Sequence, residues 1–541
     1  MKSIYFGEEH EAFRKTVRLF MEQRVAPHAE AWETAQRIPR EIFREMGDAG
    51  FLGILFPEEL GGSGGDVFMA LAFLEELPRS LTGGFVAAVT VQEFIVTGAL
   101  FHQGTKAQQT RYLVPSIEGK RVGAICISEP DTGSDVAAIR TSARRDGDSW
   151  VIDGAKTWIT NGVEGDFYVV AAKTSPEAGA GGISLFVFDS SLPGITAKRI
   201  RKMGWHCSDT AEITFENVRI PADALLGQKD RGFYYIMQTF ALERLVAAAT
   251  SVGSCDLALA DTLSYMKSRR AFGKPLDRFQ ALRHRLADLF AELSSVRQLV
   301  YHAAWLTQQG EPAVRESSMA KLLATELNKK VADECLQFHG GFGYTEEYLI
   351  SRFYRDARVA TIVAGTSEIM REIIAKTDVD GVTFPSVEDH EAVGDEVVGD
   401  EVVADEVVAG EAPPAVVAAP SAPAPAPPPA PLRKPETLEE LFLSLPSRLR
   451  PEKTEGFRGR YHFRFKDSAH PEWTVVIDGP SCVVERGIHG TADCEIKTTE
   501  PVYLGIENGT QNPQAAFLMG KVKVSNVNAL LAYTKAFQRL F

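Results

Sequence analysis

Glu243 and Arg244 stand side by side in FALERLVAA, an otherwise apolar stretch. A carboxylate there can take a proton. Read alone, a Glu beside an Arg in a helix is more often a surface ion pair. KTWITNG (Lys156–Gly162) sets the Trp158 indole two residues before the Thr160 hydroxyl, and CISEPDTGSD (Cys126–Asp135) carries Ser128 and Ser134. Arg269 in SRRAFGKPLDRFQ and the glycines of HGGFG offer a guanidinium and backbone donors, groups that can bind an anion. Taken singly, Trp158 is as readily a core indole and Arg269 a solvated helix-end charge. No G-x-G-x-x-G follows a strand. GGSGG at 61–65 and GAGG at 179–182 have the wrong spacing, and HGGFGY follows a helix. These spacings argue against a nicotinamide-type Rossmann site.

These groups need elements to hold them. Residues 8 to about 120 have a helical pattern. Residues 121 to about 230 read as strands, with VGAICIS, FYVVAAK and SLFVFD between turn residues. Helical periodicity returns from Phe233 to Lys376, in long segments near 233–270, 279–308 and 313–338. In the second of these Leu282, Leu286, Leu289, Leu293, Val296 and Val300 form one apolar seam. Such segments predict antiparallel bundle helices. From Val379 to Pro431 acidic DEVV repeats and a Pro/Ala run cannot build a core, and a disordered linker is expected. Beyond it Leu438, Leu441, Phe442 and Leu445 suggest a helix. Tyr461, Phe463 and Phe465 alternate with His462, Arg464 and Lys466 as a half-buried strand, and Trp473, Val475 and Ile477 repeat the pattern, so this last unit reads as α+β. The expected domains are 1–120, 121–230, 231–378, the linker 379–433, and 434–541.

Composition narrows the function. The 541 residues exceed one core. Twelve acids between Thr377 and Leu432 carry most of the net charge of −14, so the folded parts are nearly neutral and nothing points to nucleic acid. Six scattered cysteines, without CxxC, argue against zinc or a disulfide framework. No run of about 18 apolar residues is evident. The N-terminus resembles neither a signal nor a transit peptide, so a cytoplasmic protein is expected.

CISEPDTGSD, KTWITNG, SRRAFGKPLDRFQ, QFHGGFGYTEEY and VAGTSEIM (363–370), in this order, resemble the acyl-CoA dehydrogenase family over residues 8–376. The resemblance implies an α-helical domain, a β-barrel-like domain and a four-helix bundle, with FAD held between the last two and a homo-oligomer, tetramer or dimer. It implies that Ser128 bonds the flavin pyrimidine, Trp158 covers the isoalloxazine and Thr160 bonds flavin N5. Ser134 would lie near the pantetheine of CoA. Arg269, Phe272, Gln280, Gln337, Gly341, Thr366 and Glu368 would surround the pyrophosphate and adenosine, several of them serving an adjacent subunit.

Many family members place the catalytic base in Y-E-G-T-S, where this chain has Val363-Ala364-Gly365-Thr366-Ser367. Alanine accepts no proton. Isovaleryl-CoA and long-chain acyl-CoA dehydrogenases share a small residue there and E-R-L at the position of Glu243, so the resemblance makes Glu243 the base. Arg244 would contact substrate or brace its helix. The Ala364 N–H would hold the enolate oxygen. Glu243 would take the α-proton as hydride leaves the β-carbon, giving a trans-2-enoyl-CoA, with electrons passing to an electron-transferring flavoprotein. Ala247, where isovaleryl-CoA dehydrogenase has Leu, favours a medium to long acyl chain. Trp205-His206 and Val363 depart from the common pattern. ETLEELFLSLPSRL, WTVVIDG and NPQAAFLMGKVKVSN resemble the sterol carrier protein type 2 family over about 435–541, which implies an apolar tunnel for a lipid ligand. Phe517, Leu518 and Met519 would line the tunnel or simply fill the core. An acyl-CoA oxidase and a non-catalytic acyl-CoA or lipid carrier are the alternatives.

Overall fold

Where apolar residues recur every three or four positions, helices form, and their buried faces make the walls of the site. The computed structural model describes residues 4–382 and, further on, chiefly 437–450, 457–466, 471–508 and 522–525. It divides into two compact units, Met1–Glu411 and Ala412–Phe541. The expected linker from residue 383 onward, and Phe517, Leu518 and Met519, lie outside the described residues.

The first unit opens on α1 (Glu8–Phe20), whose Glu8, Glu9 and Glu11 complement the positive end of the helix dipole. Arg14 and Arg18 tie it to Glu75 and Glu76 at the end of α2 (Val67–Glu76), at 2.5 Å and 2.7 Å. The next long helix, α3 (Gly83–Gln103), shows why mean hydropathy alone misleads. It is long and apolar enough to cross a membrane, yet 78% of its apolar window is buried inside the protein. Its Glu93 is buried with it and accepts the Gly53 and Ile54 amides at 2.7 Å and 2.8 Å, so α3 is a core helix.

A mixed eight-stranded sheet follows: β1 (Gly123–Cys126), β2 (Ser142–Asp146), β3 (Ser149–Ile159), β4 (Phe167–Lys173), β5 (Ile183–Asp189), β6 (Ile195–Arg199), β7 (Ala211–Pro221) and β8 (Leu225–Leu226). The order is β6-β7-β3-β2-β4-β5-β8, with β1 parallel to β4. FYVVAAK and SLFVFD are buried on both faces. Phe167, Val169, Leu185 and Val187 pack with residues of α3, while Tyr168, Val170, Phe186 and Phe188 fill the opposite core. That is why both strands read as continuous apolar runs.

The bundle is α4 (Gly232–Ser268), α5 (Gln280–Gln308), α6 (Val314–His339) and α8 (Ser367–Asp378), with the short α7 (Leu349–Ala357) before the last. The three long segments fall where periodicity placed them. Leu286, Leu289, Leu293 and Val300 of the seam are buried, and Leu282 and Val296 pack against the same core. Full burial of each such side chain is worth roughly 1.5–3 kcal/mol.

In the second unit α9 (Leu438–Arg448) starts at Thr437, whose hydroxyl accepts from the Glu440 amide. Five strands, β9 (Arg458–Lys466), β10 (Glu472–Asp478), β11 (Ser481–Arg486), β12 (Cys494–Thr499) and β13 (Lys523–Val524), lie in the order β11-β10-β9-β12-β13. The helix α10 (Glu500–Glu507) follows β12. Phe442 stacks on Trp473 with ring centroids 4.8 Å apart, and Tyr461, Phe463, Phe465, Val475 and Ile477 complete the core. His462, expected on the outer face, is buried instead, because the 487–490 turn folds over it and its Nε2 lies 3.1 Å from the His489 carbonyl.

Candidate active site

Residues from three layers meet around one cavity of about 730 Å³. Helix α3 contributes Val86, Ala87, Thr90, Val91 and Ile95. The sheet and its loops contribute Ser128, Ser134, Trp158, Thr160 and Trp205. The bundle side contributes Glu243 and Ala247 from α4 and Val363–Thr366 from the turn before α8. Of the predicted residues, the fold thus gathers Ser128, Ser134, Trp158, Thr160, Glu243, Ala364 and Thr366. Arg244 does not line the cavity. Its side chain is buried behind Glu243, with the guanidinium 5.7 Å from the Phe240 ring.

Trp158 is held in an unusual way. It sits at the end of β3 with φ +62°, and 63% of it is exposed. Asn161, also left-handed at φ +61°, donates from Nδ2 to the Ala88 carbonyl at 3.1 Å and fastens this turn to α3. The CISEPDTGSD loop is fastened from below. The Nζ of Lys156, a side chain with no exposure, donates to the Ile127 carbonyl at 2.8 Å and to Glu129 at 2.9 Å. Glu129 also accepts the Arg140 and Thr141 amides at 2.6 Å and 2.9 Å. Burial alone would raise the Glu129 carboxyl, but Lys156 and the hydrogen bonds from Thr141 and Arg140 outweigh it and hold it below the usual range. Finally, the Thr157 amide donates to the Ser128 carbonyl at 2.9 Å, so the two quoted motifs are joined backbone to backbone. Glu129, Lys156 and Asn161 were missed as functional positions although all three lie inside those motifs. A second joint, also missed, is buried Asp356 of α7. It accepts the Gly83 amide at 3.0 Å and the Trp205 amide at 2.7 Å, setting Trp205 into the cavity wall.

Glu243 lies about three turns into α4. Burial raises its carboxyl to about 7, opposed by a 3.3 Å hydrogen bond from Thr239 and by Arg244. A carboxylate so tuned is matched to proton abstraction near neutrality. Ala364 adopts φ +53°. Its N–H donates to no group among the described residues, whereas the flanking Val363 amide donates to the Val359 carbonyl at 3.1 Å. An unspent donor and a carboxylate lining one cavity are the groups an enolising carbonyl compound requires.

Arg269, Phe272, Gln280, Gln337 and Gly341 gather elsewhere. They mark the end of α4, the start of α5 and the end of α6, which meet at one end of the bundle. Arg269 lies over the Phe342 ring at 5.1 Å, and Phe272, at φ +48°, is 94% exposed. Along α4 this end is about 39 Å from Glu243, at 1.5 Å per residue. Glu368, in the first turn of α8, is exposed beside Arg371 at 3.5 Å.

The cavity's own features fit the FAD implied by the sequence. The bare face of Trp158 can cover a planar ring system, and the hydroxyls of Ser128 and Thr160 on the same wall can meet its polar edge.

Comparison with known proteins places the chain in a family. The chain matches the N-terminal, middle and C-terminal domains of acyl-CoA dehydrogenase over residues 7–120, 124–218 and 230–377. It matches the SCP-2 sterol transfer family over 438–537. It is 41% identical to the mitochondrial long-chain specific acyl-CoA dehydrogenase of Mus musculus, covering 69% of this chain and 86% of that protein. It is 38% identical to the short-chain specific enzyme of Bos taurus, covering 69% and 91%. The crystal structure of an acyl-CoA dehydrogenase from Geobacillus kaustophilus superposes with a TM-score of 0.68 at 39% identity, covering 70% of this chain and 99% of that one. The chain therefore belongs to the acyl-CoA dehydrogenase family, FAD-dependent oxidoreductases that act on acyl-CoA, and carries an SCP-2-type lipid-binding domain at its C-terminus.

Proposed function

We propose that this protein converts a medium- to long-chain acyl-CoA to the trans-2-enoyl-CoA, with Glu243 as the base and electrons passed on to an electron-transferring flavoprotein. The observation that carries this reading is the meeting of Glu243 and the unspent Ala364 N–H on one cavity, from two separate elements. Bound FAD supplies the acceptor for the hydride that leaves the β-carbon. The Ala364 N–H holds the thioester oxygen and stabilises charge as it develops there. Glu243, ionised above about pH 7, takes the α-proton. The apolar wall from α3 and Trp158 keeps water from the enolising carbon.

The lining supports the proposed substrate length. Ala87, Ala247 and Ser254 are small, and Val91 and Ile95 extend the apolar wall along α3. Each methylene buried there is worth about 0.8 kcal/mol, or about fourfold in kcat/KM. Turnover of a saturated acyl-CoA series with an artificial electron acceptor should therefore climb stepwise from the four-carbon substrate. A maximum at four carbons would reject the chain-length assignment, and no reduction by any acyl-CoA would reject the whole reading. Turnover supported by oxygen alone would identify an oxidase.

The two residue groups lie too far apart along α4 to serve one dinucleotide, which supports a homo-oligomer, dimer or tetramer. In it Arg269, Phe272, Gln280, Gln337 and Gly341 reach a neighbour's FAD. Sedimentation at micromolar concentration should show no monomer, and Arg269→Ala should lower flavin content. A monomer with a full complement of flavin would refute the shared site. In the C-terminal unit the SCP-2-type fold is read as a holder for an apolar acyl ligand.

A further inference from the structure

The turn that carries Ala364 is costly to form. Ala364 and Gly365 are both left-handed, at φ +53° and +86°. Glycine tolerates this, but alanine pays roughly 1–2 kcal/mol. The turn is fixed at its edges by the Val363 amide on Val359 and by Thr366, whose hydroxyl accepts the Ile369 amide at 3.3 Å and caps α8. Its centre is held by a group from another helix. Lys321 of α6 has no exposed surface, and its Nζ donates to the Gly365 carbonyl at 2.6 Å.

A buried ammonium costs several kcal/mol unless compensated. The Lys321 ammonium makes no ion pair among the described residues, and the Gly365 carbonyl is its one hydrogen-bond partner there. The charges that act on it are Glu326 of its own helix, Arg244 of α4 and Glu368 of α8. The two carboxylates favour the ammonium from a distance and Arg244, itself a buried cation, opposes it, but neither carboxylate pairs with it, and its direct partner among the described residues is the Gly365 carbonyl. As packing alone, a Met or Leu would serve better.

We propose that Lys321 is the positioning residue of the oxyanion donor: its hydrogen bond to Gly365 holds the left-handed turn that presents the Ala364 N–H to the cavity. The inference rests on the proposed role of Ala364. Lys321 acts through the peptide and touches no reacting atom. Without it the turn relaxes toward ordinary backbone angles, and the N–H moves off the thioester oxygen. A displacement of about 1 Å at such a donor costs about 10²-fold in rate.

The test is Lys321→Met, which keeps length and volume but donates nothing. Alongside kcat and KM, the infrared stretch of the thioester carbonyl is read in bound enoyl-CoA labelled with ¹³C at that carbonyl. This signal reports polarisation of the carbonyl without turnover. In the wild-type protein the stretch moves to lower frequency on binding. In Lys321→Met most of that shift is lost, kcat falls about 10²-fold, and KM and flavin content stay near wild type. An unchanged shift and kcat in the variant would overturn the role of Lys321 alone. No shift in the wild type would overturn the Ala364 reading and this inference with it. If Lys321→Met does not fold, Lys321→Gln, which keeps a neutral donor, is read by the same signal. Failure of both variants to fold assigns Lys321 to stability and overturns the proposal.

Discussion

Glu243→Gln yields a folded, yellow protein that binds acyl-CoA but turns it over at least about 10²–10⁴-fold more slowly, the usual worth of a positioned proton acceptor. The amide keeps the shape of the side chain and can still meet the Thr239 hydroxyl, so α4 and the cavity persist. What it lacks is a basic lone pair, and the other cavity-lining residue able to supply a carboxylate, Asp356, is occupied by the Gly83 and Trp205 amides. The pH dependence makes the assignment specific. Burial raises Glu243 to about 7, so the protonated, inactive form dominates below that value. Wild-type kcat/KM should rise with unit slope up to about pH 7 and then level. The residual activity of Glu243→Gln should lose that limb. Anaerobic flavin bleaching by acyl-CoA, followed in a stopped-flow instrument, measures both. Near wild-type bleaching in the variant would move the base to another residue.

Lys156→Met should cost about 3–5 kcal/mol of stability, because it leaves Glu129 buried and unpaired. The loss falls on the site itself. Lys156 and Glu129 together hold the Ile127 carbonyl and the Arg140 and Thr141 amides, and so the loop bearing Ser128 and Ser134. Flavin content should drop with the melting temperature. Glu129→Gln leaves Lys156 unpaired in turn, and the double variant should be less destabilised than the two single losses summed. Additive losses in that cycle would show that the pair is not coupled. The pair also has a pH signature. Glu129 is held below the ordinary carboxylate range, so its contribution is fully present above that range and is lost as pH falls through its folded value. In Lys156→Met this acid dependence should weaken.

Much of this was legible before folding. The three long bundle helices follow from apolar spacing alone, because a helix repeats its buried face every 3.6 residues whatever it packs against. The apolar runs of β4 and β5 announced strands covered on both faces. Their partners were not readable, since β1 joins β4 in parallel and β3 bridges to β7 across more than fifty residues. The burial of α3 was also hidden. By composition it passes for a membrane span, and only the protein packed around it identifies it as core. His462 looked outward by alternation, and a turn from a distant strand covered it.

At the site, residue types named the chemistry and distance decided the rest. A carboxylate in FALER, an indole in KTWITNG and hydroxyls in CISEPDTGSD were chemical statements that any conformation of the chain would carry. Their meeting at one cavity depends on elements a hundred residues apart, and that is a property of the packed state. So is the tuning of Glu243, because its pKa comes first from desolvation, which no local sequence contains. Lys156 and Lys321 show the same limit most clearly. In the sequence each is an ordinary lysine, expected in solvent. Only the fold removes water from them and sets each ammonium against a carbonyl, Ile127 for one and Gly365 for the other. Apolar periodicity is written in neighbouring residues, whereas the electrostatic environment of a buried charge is written by whatever the folded chain brings around it.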